Sequence, residues 1–301
     1  MRPVDILLAI AVNLAWGLNF AVTKLGLGEM PPMMLVALRY ALTALLLSPW
    51  LRWPRGQFLQ VAAISFTLGF LHFALMFTGL SGIDASVAAI AVQIQVPFSA
   101  LLAFVFFRDR LGWRKALGGA LAIGGIVLIA GAPNEAPDPF YLSLTILAAL
   151  CWAVSAIQVK RLGTIDTLTL NAWIALLAVP QLLLGSAVLE SERWGEVADA
   201  GWLGWGSVVY MAVAVTVFGY GLWYRLLQRY PVTTIMPLSL LAPTFGVAAG
   251  IFILDEPATV EKFIGGTLTL IGVAIVILTP PAKASPETEA SETEAAGQPK
   301  P

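Results

Sequence analysis

Leu117-Gly118-Gly119, followed by Gly125, returns in the second part of the chain as Ile264-Gly265-Gly266, followed by Gly272. Around these glycines the same order of residue types recurs. Val96-Pro97 stands against Ala242-Pro243 and Asp109 against Asp255. Nearer the start of each half, Ala15-Trp16 stands against Cys151-Trp152, with Lys24 and Lys160 eight residues after the tryptophans. Recurrent Gly and Ala mean little in an apolar chain, but Trp, Lys, Pro and Asp in one order mark an internal repeat. The surrounding sequence says what is repeated. Spanning a hydrocarbon core about 30 Å thick takes roughly 20 apolar residues in a helix. Cutting at charged and Pro/Gly clusters leaves ten such stretches: 5–27, 33–51, 58–80, 84–107, 114–131, 140–160, 167–188, 203–225, 233–254 and 261–279. Each half therefore holds five spans, and because five is odd the second half enters the membrane with opposite polarity. An all-α integral membrane protein of ten transmembrane helices in two inverted five-helix repeats is expected, an architecture typical of secondary transporters.

Composition agrees. Of 301 residues, 58% are apolar and 12% charged, about half the charge of a soluble domain. The formal net charge of -1 gives no basic field for nucleic acid. One cysteine, Cys151, and one histidine, His72, cannot form an intramolecular disulfide or a structural zinc site, so no metal and no cofactor are expected. Neither a Gly-x-Ser-x-Gly elbow nor a Walker-type phosphate loop occurs. The first apolar stretch, interrupted by Asn13, Trp16 and Asn19, reads as a span and not as a cleaved leader.

Lys and Arg near span ends orient the chain. With the N-terminus cytoplasmic, thirteen of the 17 cations fall inside and only Lys24, Arg193 and Lys262 outside, while Glu190, Glu192, Glu196 and Asp199 cluster in an outer loop. Both termini are thus expected in the cytoplasm. Residues 1–131 form the first repeat, 132–139 an outer linker, 140–279 the second repeat. Residues 280–301, rich in Pro and Glu, form a tail too polar to fold.

Polar groups at membrane depth need a cavity, a partner or a route to the interface. Trp16, Asn19 and Thr23 share one face of span one. Trp152 and Ser155 repeat the stripe in span six. Span three supplies His72, span four Gln93 and Gln95, span nine Ser239. Two residues apart, Gln93 and Gln95 diverge by about 200° on an α-helix, so one is expected in the cavity, and Gln95 is favoured by its nearness to Pro97. Interhelical hydrogen bonds account for Thr23, Ser155 and Ser239 singly. For Asn19, His72 and Gln95, ligand contact and helix glue stand as alternatives. Arg39 lies about 9 Å into span two with no acid in that span, and Lys24 breaks the charge bias. Both are expected to line an outward vestibule that attracts a carboxylate, with a Lys24–Glu29 pair as the structural alternative. No Asp or Glu sits in mid-span, which favours facilitated diffusion or exchange over a carboxylate proton relay and leaves His72 as the sole candidate for proton coupling. Pro97 and Pro243 are placed as paired hinges, with static kinks as the alternative. The glycine faces of spans five and ten suit either an internal scaffold or a homodimer surface.

Trp16-Gly17-Leu18-Asn19-Phe20 followed by Lys24, Pro31-Pro32-Met33-Met34-Leu35 leading to Leu38-Arg39-Tyr40, and Gln93-Ile94-Gln95 resemble the EamA-type branch of the drug/metabolite transporter superfamily. Gly219-Tyr220-Gly221-Leu222-Trp223, Pro237-Leu238-Ser239-Leu240-Leu241 and Leu254-Asp255-Glu256 extend the resemblance through the second half. It implies export across the bacterial inner membrane of a small amino acid or amino acid metabolite, of the O-acetylserine or cysteine kind, through a central cavity by alternating access. Its walls would come from Trp16, Trp152, Tyr220 and Trp223, and its cations would suit a zwitterion's carboxylate. Two departures stand out: Arg108-Asp109-Arg110 replaces the family's usual Gly-Glu-Arg turn, and His72 replaces an amide. The other readings are uptake or broad drug efflux by the same fold, and a membrane-embedded enzyme. The last is disfavoured because no His, Cys or acid cluster exists at membrane depth. Small solute and membrane lipid are the expected partners.

Overall fold

The computed structural model describes residues 1–107, 112–132 and 136–279; the Arg108-Asp109-Arg110 turn, part of the expected linker and the tail lie outside the described residues. Among those described, nine helices are long and apolar enough to cross a membrane, and a tenth, Pro32–Leu46, is shorter. In chain order the spans are one, Pro3–Leu27; two, Pro32–Leu46; three, Phe58–Gly82; four, Ala85–Phe106; five, Trp113–Ala130; six, Pro139–Leu162; seven, Thr167–Leu189; eight, Trp202–Arg229; nine, Met236–Ile253; and ten, Val260–Leu278. The protein is an all-α, multi-pass membrane protein.

Helix starts follow local chemistry. Pro3, Pro32 and Pro139 stand in first turns, where a missing N–H costs nothing. Asp138, Asp166 and Thr259 accept from Phe140 N, Thr169 N and Lys262 N, as N-caps do. Span two departs from the expected 33–51. It stops at Leu46 and continues as a 3₁₀ turn, Ser48–Trp50, because Pro49 disfavours α geometry at the residue before it. Fifteen residues rise only about 22 Å, so this helix falls short of the full core.

Spans three and eight each contain a π-helical stretch, Ser65–His72 and Met211–Tyr220. Spans four and nine each contain a 3₁₀ turn, Val92–Ile94 and Met236–Leu240, from which a new α-segment starts at Gln95 or Leu241. The two halves carry the same irregularities in the same spans. Pro97 and Pro243 are the third residues of those new segments, so each sits in a first turn rather than in a helix interior. The 3₁₀ turn, not a proline kink, makes the break.

Spans five and ten pack together through the repeated glycines. A Cβ on Gly118 would meet Gly272 O at 2.6 Å, and one on Gly125 would collide with Gly265 O. Only glycine lets these backbones touch. The Gly118, Gly125, Gly265 and Gly272 faces are therefore engaged inside the chain. Gly17 brings span one against span nine at Ala242 O and Phe245. The main apolar cluster lies towards the end away from the termini, with Met30, Leu35, Leu80, Ala85, Ala88 and Ile90 essentially buried. A smaller cluster of Ala9, Val12, Trp223, Leu226 and Ile235 closes part of the termini side.

Candidate functional site

Between the halves lies a cavity of about 500 Å³. Its polar wall groups are Asn19 and Thr23 from span one, Arg39 from span two, His72 from span three, Gln93 and Gln95 from span four, Tyr220 from span eight and Ser239 from span nine. Trp16, Phe73, Phe77, Trp152 and Trp223 supply most of the aromatic surface. Among the described residues no Asp or Glu lines it.

Both glutamines line the cavity, which corrects the expectation that one must turn away. Gln93 lies in the 3₁₀ turn, where three residues complete a circle. The two side chains diverge less there than on an α-helix, and a broad cavity takes both.

Arg39 is 3% exposed. Its Nη2 donates to Thr216 Oγ1 at 3.3 Å, while Nε and Nη1 are buried with no hydrogen-bond partner. The guanidinium carbon stands 4.6 Å from the Phe73 ring centroid and 5.6 Å from that of Tyr40, favourable cation–π geometry. The row continues through His72, whose ring lies 4.6 Å from Phe73 and 5.2 Å from Trp152. His72 Nδ1 is 2.7 Å from Ala148 O. A carbonyl only accepts, so Nδ1 carries the proton and, in the neutral ring, Nε2 is an acceptor. Opposite in chemical character is Asn19, whose Oδ1 is a buried acceptor without a partner.

Trp16 lies against Tyr220 and Trp223 in tilted contacts, ring centroids 5.5 and 5.1 Å apart, and its Nε1 donates to Val215 O. Gly219 makes this possible, since a Cβ there would stand 2.6 Å from Trp16 Nε1. Pro243 lines the cavity and Pro97 does not; Pro97 packs by Gly119. Ser155 is also absent from the wall, its hydroxyl donating to Trp152 O within its own helix. Lys24 is the larger correction. Its Nζ donates to Leu80 O, Ser81 O and Ile83 O at 2.7 to 3.1 Å, so it caps the C-terminal end of span three, where carbonyls lack helical partners, and it is not among the residues that line the cavity. Nor does Glu29 pair with it, because Glu29 Oε2 accepts from Gly204 N.

Glu29 belongs to a set invisible in the sequence. Glu190 accepts from Met33 N and Met34 N at 3.0 to 3.3 Å, and Glu256 from Ala85 N and Ser86 N at 2.5 and 2.9 Å. Each carboxylate clasps the bare N-terminus of a helix in the other half, where the helix dipole favours it: spans two, four and eight. These three helices carry Arg39, Gln93 with Gln95, and Tyr220 into the cavity. No local motif announces a cap that comes from the opposite half. The clasps lie at the end away from the termini, where the cavity residues Thr23, Phe77 and Leu80 are buried; at the termini side Leu227, Met236, Ser239 and Ile277 are half-buried.

The chain matches the EamA-like transporter family over residues 4–131 and 139–278. It is 33% identical over 284 residues to a probable amino-acid metabolite efflux pump of Escherichia coli, with 91% of this chain and 95% of that protein covered. It is 23% identical to an S-adenosylmethionine/S-adenosylhomocysteine transporter of Chlamydia trachomatis, over 87% and 84% of the two chains. A solved crystal structure 18% identical in sequence shares the fold, with a TM-score of 0.62 over 91% of this chain and 96% of the other. With two family-matched halves around one largely aromatic and apolar cavity that holds a few polar groups, this chain belongs to the EamA-like transporter family and is a transporter, not an enzyme.

Proposed function

We propose that this protein exports small zwitterionic amino acid metabolites, of the O-acetylserine and cysteine class, across the bacterial inner membrane by alternating access, with both termini cytoplasmic. The carrying observation is Arg39: a guanidinium in the cavity wall with two buried donors unpartnered. A buried donor left unmatched costs about 1–3 kcal/mol, more when charged, and a carboxylate is the complementary ligand. Asn19 Oδ1, an unmatched acceptor in the same cavity, suits the ammonium end. The aromatic wall of Trp16, Trp152, Tyr220 and Trp223 receives the remainder, and His72 Nε2, Gln95 and Ser239 complete the polar set. The efflux-pump relatives support direction and substrate class, and the distribution of Lys and Arg supports the orientation. In that orientation the carboxylate clasps seal the periplasmic side and the cavity faces the cytoplasm.

The test is counterflow in proteoliposomes with O-acetylserine, cysteine, threonine and phenylalanine, each beside its methyl ester. Wild type should prefer the free acids. Loss of a charge-assisted contact worth about 1.5–3 kcal/mol should lower acid flux in Arg39→Ala by roughly 10- to 150-fold and spare the esters. Wild-type acid flux in a correctly inserted Arg39→Ala protein refutes the reading.

A further inference from the structure

Arg39 reaches the cavity from a short helix, yet its guanidinium is fixed by span eight. Its one side-chain hydrogen bond runs to Thr216 Oγ1, and Thr216 is buried and lies outside the cavity wall. Thr216 sits inside the π-helical stretch Met211–Tyr220. Its hydroxyl donates to Met211 O, five residues back, at 2.9 Å. A threonine hydroxyl has one proton and two lone pairs. With the proton committed to Met211 O, a lone pair is left for Arg39 Nη2. In an ordinary α-helix a threonine hydroxyl bonds the carbonyl three or four residues back; the π register makes the fifth the partner. That register also leads directly to Tyr220 in the aromatic wall.

We propose that Thr216 is a positioning residue for carboxylate recognition: through the π register it orders the Arg39 guanidinium so that the unpartnered donors are presented to substrate. This rests on the reading of Arg39 as the carboxylate site. Thr216 itself touches no substrate, so its removal should act on substrates only through their carboxylate.

The experiment measures the ratio of free-acid to methyl-ester counterflow for one amino acid in wild type, Thr216→Val, Thr216→Ser and Arg39→Ala. Thr216→Val keeps shape and removes the hydroxyl. It should lower the ratio about tenfold, through a raised KM for the acid, with ester flux and maximal exchange rate unchanged. Thr216→Ser keeps the hydroxyl and should stay within about twofold of wild type. Should Thr216→Val not insert, Thr216→Ala carries the same expectation. If Arg39→Ala collapses the ratio while Thr216→Val and Thr216→Ala leave it intact, the role of Thr216 is overturned and the Arg39 reading stands. If Arg39→Ala leaves the ratio intact, the Arg39 reading falls and this inference with it. Equal loss of acid and ester flux in the Thr216 variants overturns positioning in favour of a general packing role.

Discussion

Glu256→Gln should open the side of the transporter away from the termini. In the structure Glu256 is 9% exposed, and its two oxygens accept from Ala85 N and Ser86 N at the start of span four. Gly250 leaves the room, since a Cβ there would collide with Glu256 Oε2. Lys24 and the Lys262–Asp84 pair, at 2.6 Å, carry the surrounding charge. An amide keeps one acceptor and sets an NH₂ group against the other N–H. The change removes one charge-assisted hydrogen bond, about 1.5–3 kcal/mol, and the attraction between carboxylate and helix terminus, about 0.3–1 kcal/mol and up to ~2 where partly buried. Together these come to about 3 kcal/mol. Because the clasp joins the two halves, that energy belongs to the closed state, so the closed-to-open ratio should fall roughly 100-fold. A population of about 99:1 would become about 1:1. The assay uses a Cys151→Ser background with Leu80→Cys in the cavity wall and an impermeant maleimide applied from either face of oriented vesicles. Residue 80 is essentially buried in the state seen here, so wild-type labelling should be low from both faces, and labelling from the far side should rise steeply in Glu256→Gln. Unchanged far-side labelling refutes the clasp as the closure, and a rise from both faces together refutes it in favour of general loosening.

Two further outcomes follow from packing and capping. Gly125→Val drives a side chain into Gly265 O and Thr269 N, and should lower stability by about 1–3 kcal/mol, seen as a drop in Tm in detergent; an unchanged Tm would show that spans five and ten do not need backbone contact. Lys24→Met strips the cap from Leu80 O, Ser81 O and Ile83 O, and should cost about 1.5–3 kcal/mol in thermal unfolding while leaving the acid-to-ester ratio of counterflow at the wild-type value. A collapsed ratio would return Lys24 to the substrate path.

Apolar length and the order of Trp, Lys, Pro and Gly made the spans and the inverted repeat legible, because insertion into lipid leaves the chain few alternatives. Part of the cavity wall was legible too: Asn19, Arg39, His72, Gln95 and Ser239 are polar groups at membrane depth and line it, beside Trp16, Trp152, Tyr220 and Trp223, which the family resemblance implied. What escaped depends on partners distant in sequence. Lys24 looked free because its three carbonyls lie at the end of span three. Glu190 looked like a loop acid, and Glu256 had no assigned role, because the N–H groups that they meet belong to the other half. The π and 3₁₀ stretches have no composition of their own, so neither the shared orientation of Gln93 and Gln95 nor the Thr216 contact was derivable from α-helical spacing.

The same geometry bears on why this cavity manages without a carboxylate in its wall. A membrane carrier that closes around an empty site keeps Arg39 Nε and Nη1 unmatched, a desolvation cost of several kcal/mol for a charged group. In the state seen here Nε and Nη1 are already buried and unmatched, and the Phe73 and Tyr40 faces offset part of the charge. A substrate carboxylate supplies what the closed state lacks. On the proposed reading, loading favours closure to the extent that the carboxylate contact is tighter in the closed state than in the open one. Recognition on that reading rests on one unsatisfied cation bonded to a π-helix, with no Asp or Glu among the described residues of the cavity wall.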